Sequence, residues 1–367
     1  MKIGVLTSSR ADYGIYLPLL QKIKEDSFFE MEIIAFGTHL SRSHGHTLTT
    51  IKNDGYRTIY SLSSLISNDD EQSIATSYGV TVMKFADFWQ NHHYDLVFCL
   101  GDRFEMSAAV QAGIPFGVTF AHLHGGETTL GAIDNVYRHQ ISLASKYHFT
   151  ATEIFSEKLT NILGSSDGIY TVGSLSLNDI KTFSPIEKGT FYDTFSIPDE
   201  EFALVTFHPE TMAAQENIQF SQAMKNALAA ISKGLFVVIT MPNADTQGSI
   251  YRDAILQLKN ENENRFLLIE NFGKANYFSA MHYCKLLIGN TSSGILEAAS
   301  FGKYVVNVGD RQKGRAQSNN IINCSFVALD IIEATEKAKK LDKYVGANVY
   351  FKEAVADNVI KIVKESL

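Results

Sequence analysis

Short apolar runs alternate with segments of helical period along nearly the whole chain. The runs are rich in Val, Ile, Leu and Phe and do not alternate with polar residues, which is typical of strands buried on both faces. Such strands, separated by amphipathic segments, predict parallel sheets covered by helices. The predicted strands lie at 3–7, 31–37, 95–101, 116–124, 146–152, 169–173, 202–210, 235–242, 265–272, 285–290 and 303–309.

The alternation of predicted strands and helices is interrupted at one place along the chain. Residues 174–201 contain two of the six prolines and no clear apolar strand, so they predict a domain boundary. We expect an α/β protein of two doubly wound, Rossmann-like domains, 1–173 and 174–349. The amphipathic tail, about 350–367, should form a helix that packs back on the first domain.

Polar side chains recur directly after the predicted strands, in both halves of the chain. In an open parallel sheet, ligands bind at the carboxyl ends of the strands. The candidate residues at these positions are Arg10, Asp102, Arg103, His124, Glu127, Asp134, Arg138, His208, Asn243, Ser292, Ser293, Glu297, Arg311 and Arg315. Because both halves contribute, the pattern predicts one ligand cleft between two domains.

The segment GNTSSG at 289–294 joins a predicted strand to a predicted helix. Ser292 or Ser293 can cap that helix, whose free N–H groups favour a phosphate or diphosphate. Arg311 and Arg315 strengthen this interpretation, because a guanidinium matches phosphate oxygens. The alternative is a serine cap without a ligand. No GxxxxGK[ST] or GxGxxG motif is present, so the ATPase and dinucleotide-binding signatures are absent.

Three carboxylates lie near a Gly-Gly turn, at Asp102, Glu127 and Asp134. Neighbouring carboxylates in a water-poor site acquire separated pKa values and can act as base and acid. In the alternative interpretation, Asp102 pairs with an arginine and Asp134 caps a helix. Among the histidines, His208 is the best candidate, since it follows a strand and precedes a proline. A metal site is not expected, because there is no HExxH motif and no cysteine partner.

The composition of the chain argues against some classes of partner and favours one type of compartment. The 32 basic and 40 acidic residues give a net charge of −8, which argues against a nucleic-acid partner. No apolar stretch approaches the roughly 18 residues of a membrane helix, so we expect no membrane partner. Three cysteines without a CxxC pair fit a reducing compartment, so a cytoplasmic location is expected.

Six motifs, taken together, resemble a known family. They are SSRADYG, GDRFE, HGGETTLGAIDNVYRH, FHPET, GNTSSGILE and GDRQKGR, in this order along nearly the full chain. The chain resembles the UDP-N-acetylglucosamine 2-epimerases, and more closely the hydrolysing bacterial branch of sialic acid and related nonulosonate biosynthesis. The resemblance implies the GT-B architecture, with a UDP-sugar in the cleft between two Rossmann-like domains.

The resemblance also implies a reaction. A base removes the proton at C2 of UDP-N-acetylglucosamine while UDP leaves from C1, which gives 2-acetamidoglucal. Addition of water then releases N-acetylmannosamine and UDP, and neither nicotinamide nor a metal is required. The weakly acidic C2 proton needs a positioned carboxylate base, and the leaving diphosphate needs compensating positive charge.

Each motif carries a role over to this chain. In the first half the matching positions are Arg10 (nucleotide), His39 (sugar), Asp102 (catalytic), Arg103 (phosphate side) and Asp134 (catalytic), with Arg138 after it. In the second half they are His208 (nucleotide or leaving group), Asn243 (beside the nucleotide's base), Ser292 and Ser293 (diphosphate), Glu297 (ribose) and Arg311 (after the last strand). Arg315 ends the last motif and is expected to join the phosphate site.

One position departs from the family pattern. Animal-type hydrolysing members carry a catalytic Glu at the first position of the EGGE motif, where this chain has His124. Either His124 takes over that proton transfer, or Glu127 and the two aspartates perform it. We expect Asp102 and Asp134 to handle protons, and His124 and Glu127 to hold or activate substrate and water.

Several functional alternatives stay open at this point. The same reaction could act on UDP-2,4-diacetamido-2,4,6-trideoxyglucose, the precursor of legionaminic acid. A non-hydrolysing epimerase would retain UDP in its product. From other classes, a GT-B glycosyltransferase would need an acceptor, and a UDP-sugar sensor would not consume its ligand. The resemblance implies a homodimer or a dimer of dimers.

Overall fold

The computed structural model describes residues 1–41, 46–66, 68, 70–242 and 247–366. The chain forms two compact units, each built from more than one segment. The first unit contains Met1–Glu127, Ile133–Asp179 and Tyr350–Leu367. The second contains Thr128–Ala132 and Ile180–Val349.

The first unit is organised around a seven-stranded parallel sheet with the order β3-β2-β1-β4-β5-β6-β7. Its strands are Lys2–Thr7 (β1), Glu30–Phe36 (β2), Thr58–Leu62 (β3), Leu96–Leu100 (β4), Phe120–Leu123 (β5), Tyr147–Thr150 (β6) and Ile169–Thr171 (β7).

The second unit repeats this plan with a six-stranded parallel sheet of order β10-β9-β8-β11-β12-β13. Its strands are Phe202–Thr206 (β8), Phe236–Thr240 (β9), Phe266–Ile269 (β10), Leu286–Gly289 (β11), Val305–Val308 (β12) and Ile321–Cys324 (β13).

Helices connect the strands in both units. They span Arg10–Glu25 (α1), Leu48–Asn53 (α2), Glu71–Asn91 (α3), Phe104–Gly113 (α4), Asp134–Ala144 (α5), Glu153–Leu163 (α6), Lys188–Phe195 (α7), Asn217–Ile231 (α8), Gly248–Glu261 (α9), Lys274–Tyr283 (α10), Ser292–Leu296 (α11), Ala328–Lys339 (α12) and Val355–Ser366 (α13). The expected fold class, two doubly wound α/β domains, is confirmed.

The apolar runs explain which strands the pattern predicts and which it misses. Every residue of β4 and of β8 is buried, as an unbroken apolar run predicts. Strands β3 and β13 lie at the edges of their sheets and were not predicted. Their residues are only partly buried or exposed, because an edge strand has one neighbour, so their sequences need no continuous apolar run.

The first unit extends beyond the predicted boundary at 173. Leu175 and Leu177 are buried in it, and the Ala356 N–H donates to the Asn178 side-chain oxygen at 2.9 Å. Helix α13 adds Val355, Ala356, Val359 and Val363 to the core that β1 and α1 share. Residues 174–179 therefore stay with the first unit because the C-terminal helix holds them there.

A five-residue segment, which we call the strap, interrupts the first unit. The strap is Thr128–Ala132, and it folds with the second unit. The Leu130 N–H donates to the Lys313 carbonyl at 2.9 Å. A Cβ on Gly131 would lie 2.4 Å from the Asp310 carbonyl oxygen, so only glycine permits this backbone approach. The backbone of the strap therefore packs closely against the 310–313 loop of the second unit.

Two buried histidines in the first sheet predict a loss of stability in acid. His122 and His148 are partners on neighbouring strands β5 and β6. Burial lowers the pKa of His148 from 6.5 to about 4 and holds the pKa of His122 well below its usual value. Because both pKa values are depressed in the folded state, stability is complete above pH 6.5 and declines as the pH falls toward 4.

We expect His148 alone to account for about 2 kcal/mol of unfolding free energy lost between pH 7.5 and 5. Urea unfolding at both pH values, compared between the natural protein and His148→Gln, measures this difference. The exposed His93→Gln serves as the control and should leave the pH dependence unchanged. An equal pH dependence in His148→Gln and the natural protein would contradict the expectation.

Candidate active site

A single buried guanidinium organises the carboxyl end of the first sheet. Arg138 on α5 is 2% exposed, and its Nη2 donates to Oδ2 of Asp102, in the loop after β4. Its Nη1 donates to the His124 carbonyl at 2.7 Å and lies 4.0 Å from Oε2 of Glu127. Arg138 therefore brings together three residues that the sequence selected as catalytic candidates: Asp102, His124 and Glu127.

His124 and Glu127 form a buried pair. His124 Nδ1 lies 2.7 Å from Oε1 of Glu127. A carboxylate oxygen accepts, so Nδ1 is the donor, and the tautomer that this bond selects has its lone pair on Nε2. Within the part of the chain that the structure describes, this buried Nε2 has no hydrogen-bond partner. The pair thus presents a base nitrogen whose tautomer a carboxylate fixes.

The loop that carries this pair requires an unusual backbone. His124 has a φ of +64°, in the left-handed region that histidine enters more readily than most residues. At Gly126 φ is +76°, and a Cβ there would lie 2.4 Å from the Phe155 carbonyl oxygen. The HGGE sequence is therefore explained by the turn that the backbone makes at the end of β5.

A neutral histidine connects this loop to the one after β4. His122 Nε2 donates to the Gly101 carbonyl at 2.9 Å, and the Ser142 hydroxyl donates to His122 Nδ1 at 2.9 Å. The depressed pKa of His122, caused by burial, keeps this arrangement uncharged. His122 was not selected from the sequence as a site residue, and it fixes the turn that precedes Asp102.

The other polar residues of this cluster are held in defined positions. Asp102 keeps 24% of its side chain exposed, so it remains accessible. The Arg103 guanidinium donates two hydrogen bonds, of 3.1 and 3.2 Å, to the buried Glu105. Asp134 is the first residue of α5, one helical turn before Arg138, and is partly exposed on the same face of the helix.

The segment that follows β1 contains one carboxylate bonded to its neighbours, one exposed arginine and one nearby buried histidine. The Asp12 carboxylate accepts N–H and hydroxyl bonds from Ser8 and Ser9, which closes the N-terminus of α1. Arg10 is exposed at the first position of that helix. His39 is fully buried, with Nε2 2.9 Å from the Thr7 hydroxyl.

The second ring nitrogen of His39 is also occupied. Its Nδ1 lies 2.7 Å from the Thr47 hydroxyl, and burial lowers the pKa of the ring. In this arrangement His39 offers neither nitrogen to a sugar, so its expected contact with substrate would require rearrangement of one of these bonds.

In the second unit, one buried asparagine connects the ends of the central strands. Asn290, which follows β11, accepts from the His208 N–H at 2.7 Å and donates to the His208 carbonyl at 2.8 Å. The Gln312 amide donates to the Asn290 carbonyl at 2.8 Å. The segments that follow β8, β11 and β12 are therefore hydrogen-bonded to one another. Asn290 follows a predicted strand within the GNTSSG motif but is not among the predicted site residues.

The serine segment is shaped by a close backbone contact. Gly289 has a φ of +138°, and a Cβ there would lie 1.8 Å from the Thr206 carbonyl oxygen. Ser292 begins α11, and the Ser293 hydroxyl lies 2.5 Å from the Tyr277 hydroxyl. Glu297 is buried directly after this short helix, where its N–H donates to the Ser293 carbonyl at 2.9 Å.

The loop after β12 carries Arg311 and is supported by Glu210. Oε1 of this buried glutamate accepts from the N–H groups of Asp310 and Arg311, at 2.7 and 3.2 Å. Burial raises the pKa of Glu210, and the two N–H donors oppose that rise. Glu210 was not selected from the sequence, although it follows His208 in the FHPET motif. Arg315 lies in the same loop and is partly buried.

Three further predictions concern Asn243, a metal site and a membrane helix. Asn243 lies outside the residues that the structure describes. Across the described ranges, no group of three or more His, Cys, Asp or Glu side chains is arranged to hold a metal ion. In the same ranges, no helix is both long and apolar enough to cross a membrane.

Comparison of the sequence with known proteins shows which family this chain matches. A model of UDP-N-acetylglucosamine 2-epimerase matches residues 21–364. The chain is 32% identical to GDP/UDP-N,N'-diacetylbacillosamine 2-epimerase (hydrolyzing) of Campylobacter jejuni, over 92% of this chain and 87% of that protein. It is 31% identical to UDP-N,N'-diacetylbacillosamine 2-epimerase (hydrolyzing) of Legionella pneumophila, over 95% and 92% of the two chains.

A solved structure has the same fold. The UDP-GlcNAc 2-epimerase of Methanocaldococcus jannaschii, crystallised with UDP-GlcNAc and UDP, superposes with a TM-score of 0.82 at 16% identity. The alignment covers 100% of both chains. The family match over most of the sequence, joined to the two parallel-sheet units, identifies this chain as a member of the UDP-N-acetylglucosamine 2-epimerase family.

Proposed function

We propose that this protein is a hydrolysing 2-epimerase of a UDP-linked 2-acetamido sugar. The observation that carries the proposal is the cluster in which Arg138 contacts both Asp102 and the His124–Glu127 pair. It supplies an accessible carboxylate and a tautomer-fixed imidazole side by side, which is what proton removal and water activation require. Both similar bacterial proteins named above are hydrolysing enzymes.

The first step is an elimination. The Asp102 carboxylate takes the proton from C2 of the sugar, the C1–O bond to the diphosphate breaks, and a C1–C2 double bond forms. UDP leaves with the electron pair of the broken bond. Arg138 donates a hydrogen bond to the Asp102 carboxylate and so holds it in place before the step.

The second step is hydration of the resulting glycal. Asp134 supplies a proton to C2 on the opposite face, and His124 Nε2 accepts a proton from the water that attacks C1. Glu127 stabilises the imidazolium that forms, since its carboxylate already holds Nδ1. The net change is substrate plus water to UDP and the 2-epimeric free sugar, with protons re-equilibrating through solvent.

The second unit supplies the nucleotide site in this proposal. Ser292 and Ser293 bind the diphosphate, Arg311 and Arg315 balance its charge as UDP leaves, and His208 lies beside the leaving group. Glu297 contacts the ribose. Support comes from the hydrogen bonds of Asn290, which join the segments bearing His208, the serines and Arg311.

We propose UDP-2,4-diacetamido-2,4,6-trideoxyglucose, which is UDP-N,N'-diacetylbacillosamine, as the substrate. The two bacterial relatives carry this sugar nucleotide in their names. UDP-N-acetylglucosamine, which the motifs alone placed first, is the second candidate and is supported by the family match. The two substrates share C1, C2 and the 2-acetamido group and differ at C4 and C6, so the same acids and bases serve both.

Incubation with each sugar nucleotide in deuterated water, without an acceptor, tests the reaction. We expect free UDP and a 2-epimeric sugar bearing deuterium at C2, with a higher kcat/KM for the diacetamido substrate. Asp102→Asn is the matched control. A product that retains UDP would contradict hydrolysis, and a requirement for an acceptor would indicate a glycosyltransferase. Binding without turnover of either substrate would favour a sensor.

A further inference from the structure

We propose that Glu210 is a positioning residue that sets nucleotide affinity through Arg311. The inference rests on the proposed function, because it takes Arg311 as a ligand of the diphosphate. It assigns a role to a buried carboxylate that neither touches the reacting atoms nor belongs to the expected binding set. The loop Gly309–Arg311 is the element through which Glu210 acts.

The Glu210 carboxylate holds the loop Gly309–Arg311 through two backbone hydrogen bonds. One oxygen of Glu210 accepts two consecutive N–H groups, those of Asp310 and Arg311. A Cβ on Gly309, where φ is +73°, would lie 2.1 Å from the same oxygen. The loop therefore has a glycine at the place where the carboxylate comes closest, and its backbone direction at Arg311 is set by that contact.

The backbone of Glu210 is held by hydrogen bonds to a buried asparagine. Its N–H donates to Oδ1 of the fully buried Asn217 at 3.0 Å, and Nδ2 of Asn217 donates to the Glu210 carbonyl at 3.2 Å. Asn217 is held in turn by the Gln247 side chain at 2.8 Å and by the Tyr251 hydroxyl at 3.3 Å. The backbone from which the Glu210 carboxylate extends is thus held by the first residues of α8 and α9.

The charges exclude a direct role on the substrate. A diphosphate gains nothing from a neighbouring carboxylate, since two anions repel. The two N–H groups that would otherwise suit a phosphate are already taken by Glu210. The ligand contact that the proposed function assigns to this loop is made by the Arg311 side chain. Glu210 acts on that side chain by holding the Arg311 backbone N–H.

Isothermal titration with UDP alone measures the effect without turnover. We expect Glu210→Ala to raise the Kd for UDP about tenfold, which is the loss of affinity expected when one charge-assisted hydrogen bond is lost. Glu210→Gln keeps an acceptor oxygen at the same place and should bind within about threefold of the natural protein. Glu210→Asp keeps the charge but falls short of the two N–H groups, and it carries the test if the alanine variant does not fold. Exposed Glu216→Ala is the control.

Combination with Arg311→Ala distinguishes positioning from a general loss of structure. If Glu210 acts through Arg311, the double variant Glu210→Ala/Arg311→Ala binds UDP no more weakly than Arg311→Ala alone. Additive losses, or an alanine variant with unchanged affinity, would overturn the inference while leaving the proposed function intact. Equal losses in Glu210→Gln and Glu210→Ala would overturn it as well. Failure of the natural protein to bind UDP would overturn both.

Discussion

Replacing Asp102 with asparagine is expected to lower kcat by about 10³-fold or more while UDP binding persists. The amide has the size of the carboxylate but cannot accept a proton from C2. Arg138 keeps its bond to the His124 carbonyl, so the local structure should survive. Ser292, Glu297 and Arg311, which we assign to the nucleotide, belong to the second unit and are not altered. Release of UDP over time and titration with UDP measure the two effects.

Asp167→Asn is a suitable control, because Asp167 is exposed on a loop and the substitution makes the same change of charge. Thermal unfolding of both variants checks that the Asp102 variant is folded. Turnover near the natural rate in a folded Asp102→Asn protein would remove Asp102 from the mechanism, and the base would then have to be sought at Asp134.

The second large effect is expected at His124. His124→Asn should reduce kcat by about 10²- to 10³-fold, because the variant lacks the imidazole that accepts a proton from water. Asparagine tolerates the positive φ of this position, so the turn at the end of β5 is preserved. Steady-state release of UDP from the preferred sugar nucleotide provides the measurement, and exposed His93→Asn is the control.

Glu127 makes this prediction more specific. If Glu127 works by orienting His124, Glu127→Gln lowers kcat on its own, but His124→Asn/Glu127→Gln is no slower than His124→Asn. Losses that multiply in the double variant would mean that Glu127 transfers protons independently. Natural kcat in His124→Asn would assign the water-activating step to another group.

Much of the fold follows from the sequence because burial leaves a local signature. Strands such as β4 and β8 are buried along their whole length, so their apolar runs identify them without other information. Edge strands β3 and β13 give no such signal, since they are partly open to solvent. The predicted strand at 116–124 begins too early because a tight turn over Ile114–Phe116 precedes β5.

The site is predictable to the extent that it consists of residues after strands. Asp102, His124 and His208 were selected on that rule, and the structure shows where their partners come from. Asp102 and Arg138 are 36 residues apart, and His208 and Asn290 are 82 apart. Pairings over such distances depend on the order of strands in the sheet, which a single sequence does not specify.

The strap has a consequence for how the gene can be divided. The chain leaves the first unit after Glu127 and returns at Ile133, so neither unit is encoded by one uninterrupted stretch. A fragment that starts at Ile180 lacks the residues that bond to Lys313 and lie against Asp310, and it would expose that backbone to water. We expect such a half-protein to aggregate or to unfold more readily unless a peptide of the sequence TTLGA restores the missing piece.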